Sequence, residues 1–366
     1  MRTSFTLDHQ DGDARAGVVT TARGTFTTPC FMPVGTRGAV KHLSSADMES
    51  LGAQVILANN YHLMLRPGAD VVEALGGLHQ MSDWHGHTLT DSGGYQVFSL
   101  EPKITDEGAK FKSVYDGDQI MMTPEGAVDT QIAIGADIQM VLDVCSALPS
   151  SDAVIREALD RTALWAGRAR THFLAHPTAS QHQSQFGIVQ GGLDLAMRTE
   201  SAERTVEIGF DGYAIGGLSV GEHRGDWHEP LRAATSALPA DQPRYFMGLG
   251  DPAGIVDAVA RGIDMFDCVL PTRLARHGTL LTNEGRVNLT RREFATSTDP
   301  IEPEGPASRW SRGYLRHLLQ VKEPTAARIL TLHNLWWLLR FVDDMRAAIA
   351  EQRFAQFASD VHERWS

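Results

Sequence analysis

Between residues 185 and 272 one pattern recurs four times: QFGIVQGG (185–192), GYAIGGLSV (212–220), RYFMGLG (244–250) and MFDCVLPT (265–272). Each is a short apolar run ending on glycines or polar residues. The runs lack strict alternation, which suits strands covered on both faces, as in a parallel sheet. Upstream the pattern recurs in TPCFMPVGT around Cys30, QVILANNYH (54–62), HTLTDSGGY (87–95) and DIQMVLDVC (137–145). Helix-like segments lie between, such as SSADMESLG (44–52), 151–176 and DPAGIVDAVARG (251–262); Ser44 and Asp251 are natural N-caps for the first and last. Eight strand-then-helix units predict an α/β fold, a (β/α)8 TIM barrel with its active site at the strand C-terminal ends. A doubly wound open sheet is the alternative. It lacks support, because no GxGxxG follows the first strand.

One connection is too long for a simple crossover. Between Tyr95 and Asp137, FKSVY and QIMMT flank an Asp116-Gly117 turn, a hairpin signal, and Thr123-Pro124-Glu125 opens a helix. The reading is a hairpin inserted after strand 3, either a lid or a structural cover. After strand eight, RVNLTRREF leads to a Pro- and Glu-rich loop (297–308) and two amphipathic helices. Leu315, Leu318 and Leu319, then Leu330, Leu332, Leu335 and Leu338, recur at helical spacing. Trp336 and Trp337 read as core. The division expected is 1–280 as catalytic barrel and 281–366 as a helical appendage packed on it.

With 366 residues, 42% hydrophobic, the chain can bury a large core. No apolar run approaches the roughly 20 residues that cross a bilayer, and the N-terminus lacks the apolar middle of a signal peptide. Cys30, Cys145 and Cys268 are far apart, without CxxC, which argues for a reducing compartment. A cytoplasmic protein without membrane attachment is expected. The net charge of −12 argues against a non-specific nucleic-acid binder, yet residues 273–328 hold ten Lys or Arg against six Asp or Glu. A basic C-terminal third on an acidic body suits a docking face for a polyanion; chance clustering gives the same count.

The strand ends carry the chemistry. Strand three ends in Asp91-Ser92-Gly93-Gly94-Tyr95-Gln96, strand four reaches Asp143, strand five Gln190-Gly191-Gly192, strand six Gly216-Gly217, and strand eight contains Asp267. Glycine pairs let a ligand approach the backbone closely. Asp143 and Gln190 suit a guanine-like edge, with Tyr95 and Met247 available for the faces of a flat ring. Asp267 is followed by Arg273, Arg276 and His277. The arginines are either its ion-pair partners or a phosphate clamp for a substrate that it attacks. Two carboxylates around a base pocket describe displacement at a sugar anomeric carbon, one as nucleophile and one moving a proton. No Lys ends a strand, which disfavours a Schiff-base aldolase. No HxH or ExxH pair lies at those ends, which disfavours metal hydrolysis.

DSGGYQVFSL, FGIVQGG, AIGGLSVGE, RYFMGLG, GIDMFDCVLPTR, SRGYLRHL and TLHNL, in order and nearly end to end, resemble the bacterial tRNA-guanine transglycosylases, also called queuine tRNA-ribosyltransferases. The resemblance implies a pentosyltransferase of queuosine biosynthesis that replaces the wobble guanine of a tRNA anticodon by a 7-deazaguanine. It implies Asp267 as the nucleophile that forms a covalent link to ribose and Asp91 as general acid/base. Asp143, Gln190 and the Gly217 backbone then recognise the base, Tyr95 and Met247 sandwich it, and Arg273 and Arg276 grip the anticodon loop. Val220 and Cys145 match the pattern of enzymes that take the small 7-aminomethyl-7-deazaguanine rather than whole queuine. No cofactor is implied for the chemistry.

Two departures stand out. The family's CxCxxC and the His of HNL hold a structural zinc, but the same spacing here falls on Glu302, Glu304 and Ala307, with His333 retained. Two carboxylates and an imidazole are a poor substitute for thiolates, so zinc is expected to be absent, the loop being held by Pro300, Pro303, Pro306 and packing. The homodimer usual in bacterial relatives loses support with it. Asn60 stands where relatives usually have Thr, while Asn59 keeps the position expected to orient Asp91. The competing readings are a non-catalytic tRNA-binding or partner subunit of the same fold, and a related enzyme acting on DNA or another tRNA position.

Overall fold

A computed structural model of the chain describes residues 3–218, 222–223 and 225–365. All eight apolar runs form strands of one parallel sheet: β1 (Cys30–Pro33), β2 (Val55–Asn59), β3 (His87–Asp91), β4 (Ile138–Met140), β5 (Ser184–Val189), β6 (Gly212–Ile215), β7 (Arg244–Phe246) and β8 (Met265–Cys268). Their order is β1-β8-β7-β6-β5-β4-β3-β2. A parallel bridge from Val34 to Leu57, with the Gly35 N–H donating to the Leu57 carbonyl at 2.6 Å, brings β1 beside β2. The sheet is thus nearly closed into a (β/α)8 barrel. Every residue of β5 is buried, as two-sided cover requires. Phe31, Phe186, Phe246 and Phe266 fill the same core, each burial contributing about 1.5–3 kcal/mol.

The predicted caps form. Ser44 and Asp47 make a reciprocal capping box, Thr123 accepts from the Gly126 N–H ahead of the helix Pro124–Ile134, and Asp251 accepts from the Gly254 N–H. The insertion after β3 is a three-stranded antiparallel sheet, Lys103–Ile104, Ala109–Lys112 and Gln119–Met122. Its main hairpin starts two residues before FKSVY, and Asp116-Gly117 sits inside a longer loop, 113–118, closed by the Ser113 N–H on the Asp118 carbonyl at 2.9 Å. The hairpin buries Ala109, Phe111 and Met122 against Tyr61, Leu142 and Trp165, and that packing, rather than the Asp-Gly pair, sets its register.

Three elements were not expected. Strands Ser4–Asp11, Ala14–Thr21 and Gly24–Thr28 form an antiparallel sheet at the strand-start end of the barrel, tied there by Thr3 to Ser184 and by Arg15 to Asp264. A hairpin, Thr279–Thr282 with Gly285–Asn288, follows β8. A third C-terminal helix, Phe354–Trp365, follows Arg312–Gln320 and Pro324–Ala350 and packs Trp365 on Trp337 and Phe357 on Phe341. Trp337, Leu338, Phe341 and Met345 share one apolar core with the barrel. Among the described residues no helix is long and apolar enough to cross a membrane.

Candidate active site

At the strand C-terminal ends a cavity of about 590 Å³ is lined by Asp91, Tyr95, Asp143, Cys145, Gly217, Met247, Asp267 and Arg273. These come from the ends of five strands, β3, β4, β6, β7 and β8, and the barrel closure alone unites them. Gln190 stands behind Asp143, its amide donating to Oδ2 at 2.7 Å. Arg276 lies one helical turn beyond Arg273, off the lining, with its guanidinium 3.5 Å from Thr272 Oγ1. Val220 lies outside the described residues.

Asp267 is held by neutral donors. The Tyr245 hydroxyl donates to Oδ1 at 2.5 Å and the Gly248 N–H to the same oxygen at 2.7 Å. Among the described residues neither Arg273 nor Arg276 pairs with it, and no hydrogen bond falls on Oδ2. Burial raises its carboxyl above the usual range, and the two donors oppose that rise. Asp91 accepts from the Asn59 amide, from the Asn60 N–H at 2.9 Å and from the Gln96 amide at 3.3 Å. Burial pushes it up to about 7, and the nearby charge of Asp267 adds to the rise. Burial likewise pushes Asp143 up to about 6 against the Gln190 bond. Burial also drives the Cys145 thiol up to about 12, so it stays neutral and is no nucleophile at physiological pH. Among the described residues the site therefore holds three carboxyls in one enclosure without a bonded cation, and it can keep one ionised while another carries a proton.

Two glycines are required by contact. At Gly217, with φ +64°, a Cβ would lie 2.3 Å from Gln190 Oε1. At Gly94 it would lie 2.7 Å from Asp143 Oδ1. Sequence reasoning missed Tyr245 as a partner of Asp267, although it lies within RYFMGLG. It also missed Arg198. This fully buried side chain donates to the carbonyls of Gly192, Val189, Gly216 and Gly217 at 2.7–3.1 Å, locking the glycine ends of β5 and β6 together. Nothing in LDLAMRTES marks that arginine as inward-facing.

The positions of the family's zinc ligands do not form a donor set. Glu302 accepts from the Asn283 N–H at 3.0 Å, Glu304 pairs with Arg340 at 2.9 Å, and Ala307 is an apolar residue in a buried cluster with Ile301 and Leu315. The His333 Nε2 is bonded to the Leu281 carbonyl at 2.9 Å, and burial holds the ring down to about 4, so it is neutral. The loop is fastened by Arg312, whose guanidinium donates to the carbonyls of Pro300 and Ile301, both at 2.9 Å. These residues do not fit a tetrahedral zinc.

The family model for queuine tRNA-ribosyltransferase matches residues 10–366. A protein named queuine tRNA-ribosyltransferase from Solidesulfovibrio magneticus is 48% identical over 98% of this chain and 96% of its own length. Proteins of the same name from Thermodesulfovibrio yellowstonii and Thioalkalivibrio sulfidiphilus are 43% and 45% identical, over 97% and 99% of this chain and 94% and 98% of their own lengths.

Proposed function

The chain belongs to the queuine tRNA-ribosyltransferase family, and from that premise we propose how its barrel mouth carries out the exchange. It is a pentosyltransferase, a tRNA-guanine transglycosylase of queuosine biosynthesis. In the reading proposed, the ionised Asp267 attacks the ribose C1′ of the wobble nucleotide. The bond from C1′ to guanine N9 breaks, and Asp91 gives its proton to the departing base. A 7-deazaguanine then enters, Asp91 takes the proton from its N9, and that nitrogen attacks C1′ and releases the Asp267 carboxylate. Asp143 accepts from the base edge, Gln190 and the Gly217 backbone complete the recognition, and Tyr95 and Met247 flank the ring. Arg273 and Arg276 hold the anticodon loop.

One observation carries the reading: Asp267 is fixed through Oδ1 by Tyr245 and Gly248, with no hydrogen bond on Oδ2 among the described residues, in the cavity that Asp91 also lines. An oxygen pinned through its twin is oriented without being neutralised, which a nucleophile needs. The test is exchange of labelled guanine into tRNA by wild type and Asp267→Ala. Exchange that survives the substitution refutes the assignment.

Cys145 on the lining supports 7-aminomethyl-7-deazaguanine as the base; incorporation of queuine alone overturns this. The loop 297–308 is read as zinc-free, supported by the engagement of Glu302 and Glu304 elsewhere. Elemental analysis is expected to find well under one zinc per purified chain. One zinc per chain reverses the reading.

A further inference from the structure

The basic groups at the mouth are not confined to the end of β8. Strand order places β8, β1, β2 and β3 side by side, and cationic residues follow the first three of these: Arg273 and Arg276 after β8, Arg37 and Lys41 after β1, and Arg66 after β2. Burial, and then the Lys41 and Arg276 charges, hold the His42 ring below its usual range, so a cation following β8 and one following β1 act on the same side chain. The acceptors Asp143 and Gln190 lie on the other side, at the ends of β4 and β5.

Among these groups one cluster is built rather than scattered. Tyr115, on the loop 113–118 of the inserted hairpin, lies 4.6 Å from the Arg66 guanidinium and 5.5 Å from that of Arg37, measured to its ring centre. Its hydroxyl is 3.0 Å from His62 Nδ1, and His62 lines the same cavity as Asp91 and Asp267. Both arginines are exposed, and among the described residues neither forms an ion pair. The Arg66 charge reaches Asp116, but that carboxyl is held below its usual range first by the Ser113 hydroxyl and then by the Asp118 N–H, which donates to its Oδ1 at 3.2 Å. Bringing two guanidiniums to one ring with no carboxylate bonded between them costs repulsion. A bound anion would offset that cost, and a planar fork suits a phosphate.

We propose that Arg37 and Arg66, gathered on Tyr115, form a phosphate clamp for the tRNA nucleotide adjoining the exchanged one, extending the grip of Arg273 and Arg276 around the mouth. This rests on the functional reading above and adds to it the route of the RNA backbone. The clamp makes no contact with the base, so it acts on tRNA affinity alone. Single-stranded RNA releases counterions at each phosphate contact, so losing two such contacts lowers the slope of log Kd against log salt by roughly 1.4.

The experiment compares wild type, Arg37→Ala/Arg66→Ala and Arg37→Lys/Arg66→Lys, measuring tRNA binding across a salt series and guanine-exchange kinetics. The alanine pair is expected to raise the Kd and KM for tRNA about tenfold or more and to lower the salt slope by about one unit or more. The KM for guanine and the rate at saturating tRNA are expected to hold. The lysine pair is expected to restore the slope. A wild-type Kd and slope in the alanine pair overturn the clamp, as does a loss confined to the saturated rate. If wild type neither binds tRNA nor exchanges guanine, the functional reading falls and the clamp with it. If wild type exchanges normally and the alanine pair matches it, only the clamp falls.

Discussion

The two ends of the barrel use the same residue in opposite ways. At the strand starts, Asp137, Asp211 and Asp264 precede β4, β6 and β8, and each is paired with an arginine: Arg23 at 2.8 Å, Arg170 at 2.9 Å and Arg15 at 2.6 Å. At the other end, Asp91, Asp143 and Asp267 receive hydrogen bonds from Asn, Gln, Tyr and backbone N–H groups. Asp264 and Asp267 lie three residues apart and are both raised by burial, but the first is paired with Arg15 and the second is held by Tyr245 and the Gly248 N–H. A paired carboxylate is spent on stability, whereas one oriented by neutral donors keeps its charge for a substrate.

That contrast is most exposed at β8. Asp267→Asn is expected to lower guanine exchange by at least about 1,000-fold and to abolish a covalent RNA adduct on a denaturing gel, while the melting temperature holds. An active Asp267→Asn breaks the comparison. Asp264→Ala should do the reverse, leaving the buried Arg15 without its carboxylate and costing about 3–5 kcal/mol in urea unfolding, with the exchange rate of the folded fraction retained.

The next effect depends on pH. Because burial lifts Asp91 from 3.8 to about 7, it is mostly protonated below that value and ionised above it. Adduct formation, which draws on its proton, should slow as pH rises through about 7. Release of the adduct by incoming base, which needs its anion, should slow as pH falls through the same value, each by about tenfold per unit. Single-turnover measurements of the two halves check this, and parallel pH profiles refute the shared role. Smallest is Tyr245→Phe, which removes one donor from Asp267 and should cost about tenfold in kcat with little change in the KM for tRNA. An unchanged kcat would mean that Gly248 alone orients the carboxylate.

Much of the barrel was legible because strands buried on both faces are written as unbroken apolar runs between breaks. The N-terminal sheet was not, because Ser4–Asp11 exposes nearly everything but Phe5 and offers no apolar stripe to read. The last helix did carry a signal. Phe354, Phe357, Ala358, Val361 and Trp365 fall three and four residues apart, and Phe354 and Val361 are buried. The strand-end carboxylates were legible as polar residues that interrupt or terminate apolar runs. Their environments were legible only in part: Asn59 beside Asp91 was expected from the family resemblance, whereas Tyr245, which meets Asp267 across β7, was not.

By itself the sequence determined the eight strands, the polar residues at their ends and the loss of thiolates from residues 302–307. Those are local properties, fixed by residue type and spacing. Only the tertiary structure decided that Asp267 is oriented by a tyrosine rather than cancelled by an arginine, that Arg198 pins the glycine ends of β5 and β6, and that Arg37 and Arg66 share one ring. Those are contacts between segments far apart in the chain, and barrel closure, not residue order, sets which of them meet.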